Sequence, residues 1–201
     1  MQFFRKLIYF TLCQCLLGSA IILTSPRRIF FFALSYRVKV RGSAILYQPV
    51  LFAGKGVVSL GNSVKFGVQQ SAYFYSTYTY VEARGETAKI IFKDNVWCNN
   101  NFVAVANQTS ITISENCFIG LNVEIFDSNF HDLSPERRGY TDPNPQPVFI
   151  GKNVFIGNNV KILKGVTIGD NSVIGNASVV TKSIPENVVA AGNPCRVIRT
   201  L

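Results

Sequence analysis

In the C-terminal half of the chain, apolar residues recur at a fixed spacing of six positions. The leading series is Ile150, Ile156, Ile162, Ile168, Ile174 and Val180, and a second, smaller series is Val154, Val160, Val166, Ser172, Ser178 and Ile184. A helix needs a period of about 3.6 residues and an ordinary strand a period of about 2. A period of six therefore predicts short, flat strands joined by tight turns.

Glycine marks the corners of this repeat at positions 151, 157, 169 and 175, with Asn or Asp close behind it ("GKN", "GNN", "GDN", "GNA"). These residues adopt positive φ at the least steric cost. Three hexapeptides make one coil of about 18 residues, so residues 18 apart stack at about 4.8 Å. We predict a parallel β-solenoid in which Ile150 lies beneath Ile168 and Ile156 beneath Ile174.

The same spacing is visible upstream, although it is less regular there. It places in the interior Leu60, Phe66, Phe92, Cys98, Ile113, Ile119 and Ile125. The repeat is interrupted after Ile125 by a charged, proline-marked stretch. We therefore predict that residues 56–184 form the solenoid, that residues 127–149 form a protruding loop, and that residues 185–201 close the end. A long insertion of this kind usually carries function.

Residues 1–45 are basic and apolar, and residues 46–55 are predicted to link them to the solenoid. The chain has a formal net charge of +9, and residues 1–81 contain nine Lys or Arg and no Asp or Glu. Cations interleaved with Phe, Ile and Leu are typical of segments at an anionic bilayer surface rather than in a nucleic-acid groove. We therefore predict a membrane partner and no nucleic acid.

Several structures remain open for this N-terminal segment. The preferred one is a pair of short helices, broken at Pro26, that lie on the cytoplasmic face of the cell membrane. A single span by residues 7–23 is the second, because 17 apolar residues are at the lower limit of length. A helical cap on a soluble domain is the third. A signal peptide fits poorly, since no small-residue cleavage site follows residue 23.

The cysteines and the histidine restrict the chemistry. The five cysteines are an odd number without a CxxC pair, which indicates neither a disulfide framework nor a zinc site and favours a reducing compartment. A zinc hydratase on the same solenoid would need three histidines, and the chain has one, His131, in the predicted loop. We predict no metal. A solenoid that serves only as a scaffold would not need the loop.

Two stretches resemble a known family. Residues 162–199 read ILKGVTIGDNSVIGNASVVTKSIPENVVAAGNPCRVIR, and the loop contains NFHDLSPERR. The first resembles the C-terminal coils of hexapeptide-repeat acyltransferases with a left-handed parallel β-helix, in the branch of galactoside, maltose and nodulation-factor O-acetyltransferases. The second resembles the active-site loop of O-acetyltransferases of bacterial surface polysaccharides, which belong close to that branch.

This resemblance implies a role for the loop histidine. His131 corresponds to the family's general base, which takes a proton from a sugar hydroxyl as that hydroxyl attacks a thioester. Asp127 is a candidate for orienting the imidazole, and a backbone carbonyl is the alternative; Asp127 could also be a turn former or a sugar contact. Asn100 or Asn101 corresponds to the family's sugar-contacting asparagine, although asparagines also suit the corners of the solenoid.

The resemblance also implies a cofactor and an assembly. It predicts a homotrimer with acetyl-CoA in the groove between adjacent subunits, and it carries the cofactor-binding role onto Asn158, Asn176, Thr181, Lys182, Arg196 and Arg199. The function implied is O-acetylation of a sugar in a surface polysaccharide or its lipid-linked precursor. An N-acetyltransferase acting on an amino-sugar nucleotide is the alternative, but a soluble acceptor gives no reason for a basic, apolar N-terminus.

Overall fold

The computed structural model of the protein describes residues 24–35 and 38–201. Its body is a solenoid in which each coil contributes one strand to each of three parallel sheets. The strands are β1 (Lys39–Arg41), β2 (Ala44–Leu46), β3 (Val50–Gly54), β4 (Val57–Leu60), β5 (Val64–Phe66), β6 (Thr79–Ala83), β7 (Lys89–Phe92), β8 (Trp97–Cys98), β9 (Val103–Ala106), β10 (Ser110–Ile113), β11 (Phe118–Ile119), β12 (Glu124–Phe126), β13 (Val148–Ile150), β14 (Phe155–Ile156), β15 (Lys161–Ile162), β16 (Thr167–Ile168), β17 (Val173–Ile174), β18 (Val179–Val180), β19 (Val188–Ala191) and β20 (Arg196–Thr200).

The three sheets follow the coils in strict rotation. The first sheet has the strand order β1-β4-β7-β10-β13-β16, the second β2-β5-β8-β11-β14-β17-β19-β20, and the third β3-β6-β9-β12-β15-β18. All pairings are parallel except the last, where β20 runs antiparallel to β19 and ends the second sheet in a hairpin. The predicted solenoid of stacked parallel strands is confirmed.

The aliphatic series fills the interior as its spacing predicts. Ile150 pairs with Ile168, and Ile156 pairs with Ile174, across neighbouring coils. All four side chains are fully buried. Burying an isoleucine contributes about 1.5–3 kcal/mol relative to an exposed side chain, so this column is a main source of stability.

Two residues at each corner of the repeat have different structural roles. Positive φ is taken by the third corner residue, at Asn153, Asn159, Asn171 and Ala177. The glycine that opens the corner is needed for space instead. A Cβ on Gly157 would lie 2.3 Å from Oδ1 of Asn176 and 2.9 Å from its backbone nitrogen. The neighbouring coil therefore leaves room at this position for glycine alone.

We expect Gly157→Ala to lower the free energy of unfolding by about 1–3 kcal/mol, because the added methyl group overpacks this corner. Gly139→Ala is the matched control, since no atom lies within 4 Å of a Cβ at that position. Urea unfolding of both variants measures the difference. Equal stability of the two variants would contradict the close approach at Gly157.

The solenoid begins earlier than the sequence pattern indicates. β1, β2 and β3 form a complete first coil, so the predicted start at residue 56 is wrong, and residues 46–55 contribute to strands rather than to a linker. β1 is exposed along its length, since the first coil is an end of the stack. A strand with a neighbour on one side only does not need the apolar spacing that identifies the inner coils.

A helix, α1, covers residues 24–34 and lies against the first coil. Pro26 lies in the first described turn of this helix, a position that tolerates proline, and the other predicted helix lies outside the described residues. Within residues 24–35 and 38–201, no helix has both the length and the hydropathy needed to cross a membrane. Residues 7–23, for which a span was considered, lie outside the described residues.

Candidate active site

A loop of residues 127–147 leaves the solenoid at the corner between β12 and β13. Asp127, at its base, is fully buried. Its carboxylate accepts hydrogen bonds from the backbone N–H groups of Asn107 (2.6 Å) and Thr109 (2.8 Å) and from the Thr109 hydroxyl (2.8 Å). Asp127 therefore ties the loop to the same corner of the preceding coil. The expected hydrogen bond between Asp127 and the imidazole of His131 is not formed: the carboxylate is buried at the base of the loop, and Nδ1 of His131 has another partner.

His131 is exposed on the loop and is oriented by the main chain. Its Nδ1 lies 2.9 Å from the carbonyl oxygen of Arg138, and its backbone N–H donates to the carbonyl of Asn129 (2.8 Å). A carbonyl oxygen only accepts hydrogen bonds, so Nδ1 carries the proton and the neutral ring presents Nε2 as its basic nitrogen. Of the two partners considered for this histidine, the backbone carbonyl is the one in the structure.

Asp142 holds the two sides of the loop together. Its buried carboxylate accepts hydrogen bonds from the backbone N–H groups of Asn129 (2.8 Å) and Asn144 (3.0 Å) and from Nζ of Lys164 (2.6 Å). Burial raises the pKa of Asp142, but the hydrogen bond from Lys164 and the two amides outweigh it and lower the pKa to about 2. The ionised carboxylate of Asp142 therefore acts as a clamp that fixes the backbone at Asn129, two residues before His131.

The residues next to His131 are fixed on both sides. Asp132 accepts a hydrogen bond from the Ser134 backbone (3.0 Å) and pairs with Nε of Arg137 (3.0 Å). The Ser134 amide is the main cause that lowers the pKa of Asp132. Phe130 has a positive φ of 63°, and its ring lies 4.9 Å from the guanidinium carbon of Arg84. These contacts hold the loop in a defined conformation, from which His131 projects.

The two asparagines predicted to contact the sugar lie at the corner between β8 and β9. Asn100 is fully buried, and its amide bonds the main chain of Val68 (2.9 and 3.0 Å) and Ala72 (2.8 Å). It anchors the excursion between β5 and β6 instead of facing an acceptor. Asn101 has φ 57° and donates to the side chain of Asn122 (2.8 Å). Both therefore have the structural role of corner residues.

The residues predicted to bind the cofactor lie at two corners of the last two coils and on β20. Asn158 and Asn176 occupy equivalent corners, where the Asn158 backbone N–H donates to Oδ1 of Asn176 (2.7 Å). Thr181 and Lys182 are exposed after β18, at the corner that the His131 loop leaves two coils earlier. The remaining two are exposed on β20: Arg196 and Arg199.

The sequence pattern missed an aromatic groove on the outer face of the second sheet. The groove has a volume of about 330 Å³ and is lined by Trp97, Asn99, Phe118, Phe155 and Asn158, among others. Its three aromatic residues are cross-strand partners in register. Each of them directly precedes an interior residue of its hexapeptide. An aromatic residue at this outward-facing position is therefore the sequence pattern that would have indicated the groove.

Comparisons with known proteins agree with this fold. The family model for bacterial transferase hexapeptides (six repeats) matches residues 147–182. Galactoside O-acetyltransferase of Escherichia coli K12 is 46% identical over 115 residues, which are 55% of this chain and 56% of that enzyme. WbbJ of the same strain, named for O-acetyl transfer in lipopolysaccharide biosynthesis, is 33% identical over 172 residues, 81% of this chain and 82% of that protein.

A solved structure of an acetyltransferase is also similar to this chain. Galactoside acetyltransferase in complex with coenzyme A has 30% sequence identity and a TM-score of 0.53, and the match covers 87% of this chain and 80% of that chain. The curated relatives with the highest identities are matched over about half of their length, 52% to 57%. The match to WbbJ extends over most of both chains. The chain therefore belongs to the hexapeptide-repeat acetyltransferase family.

Proposed function

We propose that the protein uses acetyl-CoA to acetylate a hydroxyl of a sugar in a surface polysaccharide or in its lipid-linked precursor. The observation that carries this proposal is the 2.9 Å contact of Nδ1 of His131 with the Arg138 carbonyl, which leaves Nε2 exposed as a base. Relatives named for galactoside O-acetylation and for O-acetyl transfer in lipopolysaccharide biosynthesis support the acceptor class.

The proposed transfer is direct. Nε2 of His131 takes the proton of the acceptor hydroxyl as the hydroxyl oxygen bonds to the thioester carbonyl carbon. The tetrahedral intermediate collapses, the C–S bond breaks, and the imidazolium returns the proton to the leaving thiolate. The Arg138 carbonyl stabilises the imidazolium because Nδ1–H donates to it throughout. The products are a sugar ester and coenzyme A, and no acyl-enzyme forms.

We propose that the donor is bound between subunits of a homotrimer. Lys182, Arg196 and Arg199 are exposed cations that suit the phosphates of coenzyme A. Asn158, Asn176 and Thr181 complete the proposed cofactor set. Since these residues are spread over two corners and β20, a second copy is needed to close a groove around the donor. The aromatic groove of the second sheet, with Phe118 and Phe155 half exposed, supports contact with that copy.

We also propose that the enzyme works at the cytoplasmic face of the cell membrane. Support comes from the charge distribution: residues 1–81 contain cations and no carboxylate side chain. A basic, apolar segment adds electrostatic attraction to anionic lipids and hydrophobic insertion. A lipid-linked glycan precursor would be available at the same surface.

The function is tested with the purified full chain, acetyl-CoA and a panel of neutral and amino-sugar acceptors. We expect a product whose added acetyl group is removed by mild alkali, as a sugar ester is. An alkali-stable product formed only with amino sugars would instead show N-acetylation. Mass spectrometry of the surface glycan from cells with and without the gene then identifies the acetylated sugar. A glycan unchanged by loss of the gene would overturn the proposed acceptor class.

A further inference from the structure

α1 is attached to the solenoid by its polar side. Thr24, Arg27, Arg28, Phe31 and Ser35 follow the spacing of one helical face, and Thr24 is buried. Arg27 donates to the carbonyls of Tyr75 and Thr77.

Two further bonds complete this attachment. Arg28 donates to the carbonyl of Leu46 (3.0 Å), and the Ser35 hydroxyl accepts from the backbone N–H of Phe52 (3.0 Å). Phe31 packs on Tyr78 with ring centroids 4.5 Å apart. Charged and hydroxyl groups therefore hold the helix on the first coil.

The rest of the surface of α1 carries large apolar side chains that are exposed. The exposed fractions are 68% for Ile29, 59% for Phe30, 68% for Phe32 and 49% for Leu34. A helix that caps a domain in water has the reverse arrangement, with the apolar side inward and the polar side outward. The third alternative for the N-terminal segment, a cap on a soluble domain, does not explain this orientation. The outward side needs an apolar environment.

Further exposed apolar residues lie on the first coil and in the excursion between β5 and β6. They are Val40, Ile45, Tyr47, Tyr73 and Tyr75. An open apolar cavity of about 470 Å³ lies between α1 and the first coil, lined by residues that include Phe32, Val40 and Phe52. We call the outward side of α1 together with these five residues the end surface.

The charged side chains of α1 and of the first coil have one sign. Lys39 and Arg41 are exposed on β1 beside it, and the sequence up to residue 81 holds no Asp or Glu. Tyrosines such as Tyr73 and Tyr75 suit the boundary between head groups and acyl chains, because their rings are apolar and their hydroxyls polar. Apolar residues with a cationic rim are complementary to an anionic bilayer, whereas residue pairs between two identical basic surfaces would repel.

We propose that the end surface docks on an anionic phospholipid bilayer, with Ile29, Phe30, Phe32 and Leu34 entering the acyl-chain boundary. This inference deepens the membrane association in the proposed function, because it assigns the contact to α1 and the first coil. It does not depend on the chemistry at His131. Residues 1–23 folded over α1, or a second copy of the chain, are the competing occupants.

The test places a fluorescent probe in the proposed contact. Trp97→Phe removes the chain's one tryptophan, and Phe32→Trp is then added. With vesicles of phosphatidylglycerol and brominated phosphatidylcholine, we expect a blue shift and strong quenching of this probe. Ile198→Trp in the same background is the matched control, since Ile198 is also exposed (64%) but lies on β20 at the other end; it should be neither shifted nor quenched.

Each competing occupant has its own result. A probe at position 32 that is already blue-shifted without vesicles and is not quenched by them would show that residues 1–23 or a second copy cover the face. Dependence of that shift on protein concentration would identify the second copy. Either result overturns the proposal.

A binding measurement gives a second, independent readout. Phe30→Gln with Phe32→Gln keeps helix-forming residues and should lower partitioning into these vesicles by about tenfold for each phenylalanine. Ile198→Gln with Leu201→Gln, two exposed apolar residues at the far end, should leave partitioning unchanged. Acetyl transfer to a soluble acceptor should persist in both variants. Loss of docking with retained transfer, or the reverse, therefore separates this inference from the proposed function.

Discussion

Replacing His131 with alanine should lower the turnover of acetyl transfer by about two to four orders of magnitude, the range that a positioned general base contributes. The acceptor hydroxyl is a poor nucleophile, and Nε2 of His131 is the basic atom that the loop exposes. The affinity for acetyl-CoA should not change, because none of the residues proposed to bind the donor belongs to the loop. Steady-state kinetics and calorimetric titration with acetyl-CoA measure the two effects separately.

Two further variants make this result specific. His131→Asn keeps a polar side chain in the loop but supplies no base, so it should be as inactive as the alanine variant. Leu133→Ala truncates another exposed side chain of the same loop (70% exposed) and should retain activity. Turnover preserved in both His131 variants would overturn the mechanism. Loss of donor affinity along with turnover would show that His131 acts in binding.

Removing the carboxylate of Asp142 has the second large effect. Asp142→Ala leaves the amides of Asn129 and Asn144 without their acceptor and removes one of the two acceptors of Nζ of Lys164, so the loop loosens around His131. A displacement of about 1 Å in a catalytic group can lower turnover by about a hundredfold. We expect a loss of that size in kcat, with little change in the KM for acetyl-CoA, because none of the residues proposed to bind the donor belongs to the loop.

The stabilisation by Asp142 has a defined pH dependence. Its pKa is about 2 in the folded chain, below the ordinary value of about 4, so the ionised form favours folding. This contribution is fully present above about pH 4 and disappears as the pH falls through the folded pKa. The difference in unfolding free energy between wild type and Asp142→Ala should therefore be constant near neutrality and shrink on acidification. A difference that does not shrink at all as the pH falls from about 4 towards about 2 would contradict the clamp.

A surface ion pair supplies the control for this clamp. Lys152 and Glu115 lie 2.8 Å apart, but the lysine side chain is largely exposed. Lys152→Met should change stability by less than about 1 kcal/mol, whereas Lys164→Met should cost more, because the Asp142 carboxylate is buried. Equal effects of the two lysine substitutions on stability and on kcat would show that the buried pair does not position the loop.

The sequence was sufficient to predict the inner coils, because an interior aliphatic residue must recur wherever a coil lies above and below it. It was also sufficient to locate His131, since the loop interrupts that recurrence. The sequence could not show that Asp127 ties the loop to the preceding coil whereas Asp142 joins the two sides of the loop. The partner of a loop carboxylate depends on how the loop returns to the solenoid. The Asn corners show the same limit: Asn100 has the residue type of a sugar ligand but is buried beneath the excursion that it anchors.

The first coil was missed for a physical reason. The period of six records burial between coils, and an end coil has a neighbour on one side only. β1 consequently carries exposed Lys39 and Arg41 where an inner strand would alternate. In α1 the polar residues face the protein, so a rule that assigns apolar residues to the interior places the wrong side inward. The orientation became visible only through the contacts of Arg27, Arg28 and Ser35 with main-chain groups.

The stacking of the coils also sets the height of His131 above a membrane on which the first coil is docked. Parallel strands stack about 4.8 Å apart, and the His131 loop leaves after the fourth coil, β10 to β12. A solenoid standing on its first coil, with its axis along the membrane normal and α1 (about 10 Å across) beneath it, therefore carries His131 roughly 20–25 Å above the acyl chains. At that height the enzyme would pass over the sugar attached to the lipid and acetylate one farther along the glycan. The number of coils between the membrane and the loop would then determine which sugar of the glycan is modified.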